Sequence, residues 1–237
     1  MEALFKNPET LLYAILGGAV PAILWLWFWL KGEDEEDDPE PRGLIALCFV
    51  LGGLSVLLAI WFEKFSLQFV SNQTTQIIVW ASIEEILKLI GVVLIVFGSG
   101  HLNRPIDYPM YFIAVALGFA AFENVLYLIK PLETSGTIVG ILTGNLRFLG
   151  STLLHAIASG MIGTALGLSF FIPKYRTIYL IFGLLCAIVL HSVFNFFIMK
   201  GSGENFLSVF GFLWVVAIIN ILVFEKLKRM GQQIPVS

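Results

Sequence analysis

The sequence predicts an all-α membrane protein: a bundle of about seven transmembrane helices with an intramembrane polar site on helices 3–6. Three observations predict it. Hydrophobic residues make up 58% of the 237-residue chain and charged residues only 13%, against about 25% charged in soluble domains. Apolar runs of roughly bilayer-crossing length, about 17–25 residues, recur along the whole chain. Ionisable side chains lie well inside four of these runs. A soluble fold of this length buries one core, yet it cannot hide this much apolar surface. Lipid must therefore cover part of it.

The first run, Leu11 to Leu30, is longer than a signal-peptide core of about 7–15 residues and has no A-x-A exit, so it reads as a retained helix. An acidic segment follows, Glu33-Asp34-Glu35-Glu36-Asp37-Asp38-Pro39-Glu40. It reads as a solvated loop, with cations or a basic partner as the alternative. The next runs are Leu44 to Phe62, Gln76 to Phe97, Pro109 to Ile129, Arg147 to Ile172, Arg176 to Met199 and Phe206 to Phe224. Short connections leave little folded mass outside the bilayer. Residues 1–237 read as one polytopic domain. His101 sits in a polar loop with Asn103, Arg104 and Asp107 and reads as a surface residue. Cys48 and Cys186 lie in apolar runs without C-x-x-C and read as small core residues.

Net charge is −3, from 14 basic and 17 acidic residues. No basic patch calls for nucleic acid. The expected partners are the lipid bilayer and a protein held in it. Lys31, Arg42, Arg104, Lys174, Arg176, Lys226, Lys228 and Arg229 fall on one face of the predicted bundle. Lys6, Lys64, Lys130, Arg147 and Lys200 fall on the other. The more basic face is the cytoplasmic one, which puts the N-terminus outside and the C-terminus inside.

Glu84, Glu85 and Lys88 in helix 3, Glu123 in helix 4, His155 in helix 5 and His191 in helix 6 are out of place in lipid. So are Asn124 and Asn195. Each mid-helix charge costs about 2.5–3.5 kcal/mol on insertion scales. Such residues must pair, lose charge or meet water. With alternate helices antiparallel, Glu84, Glu123, His155 and His191 fall roughly 9–12 Å below the same face, at 1.5 Å per residue. That face is extracytoplasmic in the orientation above. Lys88 is one turn from both glutamates and can neutralise only one of them. A divalent cation, or protonation, would balance the remaining carboxylates.

Histidines with carboxylates form a zinc-type ligand set, with one position open for water. The expected ligands are Glu123, His155 and His191, holding a divalent metal, zinc by ligand type. Glu84 is the expected general base, with Glu85 the second choice. Lys88 would keep one carboxylate ionised. Asn195, one turn beyond His191, would orient water or stabilise an oxyanion, and Asn124 would do the same or brace helix 4. No H-E-x-x-H motif occurs.

These residues carry a family pattern. Glu84-Glu85-Ile86-Leu87-Lys88 is an E-E-x-x-K motif, and Phe119-Ala120-Ala121-Phe122-Glu123-Asn124 is an F-x-x-x-E-N motif. His155 is followed by Gly160, and His191-Ser192-Val193-Phe194-Asn195 is an H-x-x-x-N motif. Pro105-Ile106-Asp107, Gly118-Phe119-Ala120 and Arg147 add to it. The chain resembles the PrsW family of intramembrane proteases, relatives of the type II CAAX prenyl endopeptidases, over roughly residues 76–200. The resemblance implies peptide-bond hydrolysis at the membrane. It is similar to site-1 cleavage of a membrane-anchored anti-sigma factor outside the bilayer. Whether metal is needed, or a glutamate activates water alone, the motifs leave open. The alternatives are a CAAX-type endopeptidase, a proton- or cation-coupled transporter and a catalytically silent scaffold. Glu123-Asn124 stands where the CAAX relatives carry a histidine. No matching halves with broken helices support transport. No motif residue is missing, as a scaffold would allow.

Overall fold

The computed structural model describes residues 8–33, 40–200 and 206–232, with side chains throughout except 31–33, 135–149, 199–200 and 206. The described residues form α1 (Pro8–Glu33), α2 (Arg42–Ser66), α3 (Gln73–Val96), α4 (Asp107–Arg147), α5 (Leu153–Ser169), α6 (Arg176–Lys200) and α7 (Phe206–Gly231). A π-helical turn, Phe148–Thr152, leads into α5, and a 3₁₀ turn, Pro173–Tyr175, leads into α6. No strand occurs among the described residues. Lys6 and residues 34–39 of the acidic segment lie outside the described residues.

Among the described residues, six helices are long and apolar enough to cross a membrane, α3 being the exception because it carries Glu84, Glu85 and Lys88. The sequence of α3 shows how it can still lie in lipid. Ile77, Ala81, Glu84, Glu85, Lys88, Val92 and Val96 are buried at helical spacing, while Ile78, Ile86, Ile90, Val93 and Leu94 face outwards. The charges therefore occupy the stripe turned into the bundle. Asn72 starts the helix, its Oδ1 accepting the Thr75 amide at 3.1 Å.

The chain is a multi-pass membrane protein in which α4 and α5 form the centre. Most of their spanning residues are buried, whereas those of α1, α2, α6 and α7 face mainly outwards. Small residues let the backbones meet. A Cβ on Gly52 of α2 would meet the Val115 carbonyl of α4, and a Cβ on Gly118 of α4 would meet the Phe49 carbonyl of α2. Gly163 and Gly167 of α5 lie against Pro109 and Pro105 in the same way. Without a hydrophobic drive between helices in lipid, such close van der Waals contact is what holds them.

Helix 4 departs from the sequence expectation. It starts at Asp107 and stays helical through Pro131 to Arg147, rather than ending near Ile129. The expected fifth helix, from Arg147 to Ile172, is divided into the π turn and α5. Lys130-Pro131 and the Gly, Ser and Thr that follow read as loop chemistry, but the backbone absorbs the proline inside a helix. At the start of α4, Asp107 is fully buried. Its carboxylate accepts the amides of Asn103 and Arg104 at 2.9 and 2.6 Å and the Arg104 Nε at 2.9 Å. Arg104 also reaches Glu40 at 3.5 Å, and the Tyr111 hydroxyl donates to Glu40. This network ties the start of α2 to the α3–α4 connection, at the bundle end bearing Arg42 and Arg176. His101 in that connection is half-exposed. Cys48 is buried, Cys186 is half-buried, and both are free thiols.

Candidate active site

Four helices bring the predicted ionisable residues together. Successive turns of α3 present Glu84, Glu85 and Lys88. The Lys88 Nζ donates to Glu85 Oε1 at 2.7 Å and lies 3.8 Å from Glu84 Oε2. The lysine thus pairs closely with one glutamate only, as its single charge requires. Its ammonium also lies 4.5 Å from the centre of the Phe119 ring, a favourable cation–π placement.

Glu85 is completely buried and accepts three hydrogen bonds. The donors are Lys88, Ser159 Oγ at 2.9 Å and His191 Nδ1 at 2.9 Å. A buried carboxylate needs this many partners. The contact also sets the His191 tautomer. Nδ1 carries the proton, and Nε2 presents its lone pair 3.8 Å from Glu84 Oε2. A histidine whose other nitrogen donates to a carboxylate is oriented as metal-ligating imidazoles are.

His155, three residues into α5, is held at both ring nitrogens. Nε2 donates to Glu123 Oε2 at 3.1 Å, and Nδ1 accepts from the Lys88 ammonium at 2.7 Å. Nδ1 also lies 3.9 Å from Glu84 Oε2. The two imidazoles meet edge to face, with centroids 5.0 Å apart.

The donor set fits a metal ion. Glu84, His155 and His191 are all buried, and each offers a ligand atom within 4.8 Å of the other two. Glu84 Oε2 is buried without a hydrogen-bond partner among the described residues. Glu84 Oε2 lies between Nε2 of His191 and Nδ1 of His155, three atoms of the types that ligate a divalent cation, with Lys88 Nζ on Nδ1 in this structure. Ligands 2.0–2.1 Å from a tetrahedral zinc lie about 3.4 Å apart. The two glutamate–histidine separations of 3.8 and 3.9 Å are close to this, and the third, between the imidazoles, is within 4.8 Å.

Glu123 stands outside this trio, on the far edge of His155. Its side chain keeps 32% of its exposure and accepts from Ser151 Oγ at 3.3 Å. The two asparagines differ. Asn124 is buried and donates to Thr152 Oγ1 at 3.0 Å, which braces α4 against the π turn. Asn195 is half-buried, one turn beyond His191, and makes no hydrogen bond to a described residue. The side chain of Arg147 lies outside the described residues.

Sequence reasoning missed two contributors. Ser159, one turn beyond His155, was readable from i,i+4 spacing. Glu63 lies one residue past the expected end of helix 2. Val56, Ala59 and Ile60 pack that face of α2 against Phe119, Phe122, Ile83 and Leu87. Glu63 continues the same face, one turn beyond Ala59 and Ile60, toward the site. The site thus sets four carboxyl groups against one ammonium, a balance that a divalent cation or protonation would complete.

The chain is similar to known proteins over most of its length. The model of the PrsW family of intramembrane metalloproteases matches residues 40–223, which extends the likeness to α2 and most of α7. Protease PrsW of Oceanobacillus iheyensis is 29% identical over 189 residues, covering 77% of this chain and 83% of its own. Protease PrsW of Shouchella clausii is 26% identical over 155 residues, covering 65% and 67%. Protease PrsW of Geobacillus kaustophilus is 31% identical over 119 residues, about half of each chain. No solved structure gives a significant match. With the family's motifs converging on one buried cluster and the match running through most of the chain, this protein belongs to the PrsW family of intramembrane metalloproteases.

Proposed function

We propose that the protein cuts a membrane-anchored protein at a peptide bond near the outer surface of the bilayer, in the manner of site-1 cleavage of an anti-sigma factor. The observation that carries the reading is the unmatched Glu84 Oε2 facing one nitrogen of each of two buried histidines. Glu84 and Glu85 sit midway along α3, while His155 near the start of α5 and Glu63 near the end of α2 extend the site toward the bundle end where α2 finishes and α3 begins. Arg42, Arg104, Lys174, Arg176, Lys226, Lys228 and Arg229 lie toward the opposite end. Basic residues mark the cytoplasmic side, which supports an outer site, an outer N-terminus and a cytoplasmic C-terminus. Residues 1–237 act as one membrane domain, with the motif core at 76–200.

In this reading Glu84, His155 and His191 hold the metal, zinc by donor type. A divalent ion there supplies Lewis acidity to a carbonyl oxygen and acidity to a bound water. The arrangement supports exchanging the roles expected for Glu84 and Glu123. Glu85 is fully buried and committed to three donors; it orients His191 and anchors Lys88. Glu123 is the partly open carboxylate beside the trio. It takes the proton of the attacking water and returns it to the leaving amine as the C–N bond breaks. His155 Nε2 holds Glu123 in place. Asn195, with its amide uncommitted, donates to the developing oxyanion.

The test is a comparison of new protein N-termini in bacterial membranes carrying the wild-type chain or Glu84→Ala. Termini near the outer ends of single-pass segments, present only with the wild type, are expected. Termini only on the cytoplasmic side would overturn the orientation, and identical profiles would overturn the proteolytic reading.

A further inference from the structure

We propose that the Lys88 ammonium is a displaceable occupant of the metal position. It and a divalent cation compete for Nδ1 of His155, so the site passes between a lysine-closed and a metal-loaded form. The inference rests on the metal reading above and adds a competitor to it.

His155 has one nitrogen to give. Nε2 is engaged by Glu123 at 3.1 Å. Nδ1 is the nitrogen turned toward Glu84 Oε2, and it is the one on which Lys88 Nζ sits, at 2.7 Å. A metal on Nδ1 and a hydrogen bond into the same lone pair exclude one another. In the lysine-closed form, Nζ lies among Glu84, Glu85 and His155, where it serves as an internal cation.

Displacement leaves the lysine supported. Nζ has three donors, and only one is spent on His155. Its contact with Glu85 Oε1 at 2.7 Å and its place over the Phe119 ring do not depend on His155. Glu85 is itself fixed by Ser159 and His191. The ammonium can therefore swing off the imidazole without losing its charge or its main partner. Two consequences follow. The chain can fold and insert before it meets metal, because an ammonium already sits among the buried carboxylates. And metal binds more weakly than the three donors alone would allow.

The test is zinc affinity of the purified full-length protein in detergent, by competition with a chromophoric chelator. The cobalt spectrum of each variant serves as a second readout of the ligand set. Wild type, Lys88→Met, His155→Ala and the double variant form a thermodynamic cycle. Lys88→Gln replaces Lys88→Met if the latter is not monodisperse. Competition predicts that Lys88→Met binds zinc about tenfold tighter or more, the scale of one charge-assisted hydrogen bond. It also predicts that His155→Ala weakens binding about tenfold more in the Lys88→Met background than in the wild type. Unchanged or weaker binding by Lys88→Met contradicts the proposal. So does an equal effect of His155→Ala in both backgrounds, since Lys88 would then act through its charge alone. If neither folded protein binds zinc or cobalt, the metal reading falls and this inference with it. Zinc binding that is indifferent to Lys88 removes only the competition.

Discussion

Nδ1 of His191 donates to Oε1 of Glu85 at 2.9 Å, joining α6 to α3 through two fully enclosed side chains. This contact separates the two adjacent glutamates by role. Glu85 turns inward to orient a histidine, and Glu84 is left with an unmatched oxygen. Glu85→Gln should therefore act on metal binding as well as on rate. Loss of a carboxylate that orients a ligating histidine typically lowers metal affinity about 10–100-fold. The same change leaves the buried Lys88 short of its counter-charge, with a stability loss of about 3–5 kcal/mol. Zinc titration and thermal unfolding in detergent check both. Full zinc affinity with lost cleavage would instead mark Glu85 as the base.

Glu84 and Glu123 are told apart by the same pair of measurements. Glu84→Gln should lose both zinc and cleavage. Glu123→Gln should keep zinc and lower the rate by about 10²–10⁴-fold, the usual contribution of a general base. The reverse pattern would restore Glu123 as the ligand and Glu84 as the base.

The asparagines should separate as well. Asn195 makes no hydrogen bond to a described residue, so Asn195→Ala should leave the unfolding temperature unchanged and cost about 10²–10³-fold in rate if it serves the oxyanion. Asn124→Ala removes the buried bond to Thr152. It should destabilise by about 1–3 kcal/mol, through the stranded partner. Rate and melting curves on the two variants check this division.

Gly118→Ala tests the crossing that positions Phe119 and Glu123. The new methyl would meet the Phe49 carbonyl, a backbone atom that cannot step aside. A loss of about 1–3 kcal/mol is expected from overpacking, with a fall in rate as α4 shifts. Gly211, with nothing near its Cβ position, is the control: Gly211→Ala should not destabilise.

Much of this was readable from residue order because membrane burial is strict. Polar side chains at Glu84, Glu123, His155 and His191 had to share an interior, and matched depth placed them together. Side-chain direction was not readable in that way. Whether Glu84 or Glu123 faces both imidazoles depends on how α4 and α5 rotate at the Gly52–Val115 and Gly163–Pro109 contacts. No helical spacing reports that rotation. The reach of Lys88 to His155, 67 residues away, is hidden for the same reason, since its i,i+3 and i,i+4 glutamates already account for it. Glu63 escaped notice because an acid at a helix end reads as an interfacial residue. The extension of α4 through Pro131 escaped because proline and glycine mark a loop in a lone sequence.

In the proposed mechanism Glu84, His155 and His191 hold a catalytic metal. The most direct measurement is X-ray absorption at the metal edge of purified, active protein, with metal content and chelator sensitivity taken on the same sample. One zinc per chain is expected, with two imidazole nitrogens and carboxylate oxygen in its shell, and activity that chelators remove and zinc restores. Active protein without stoichiometric metal, cleaving at the same rate in strong chelator, would contradict it and leave water activated by glutamate alone.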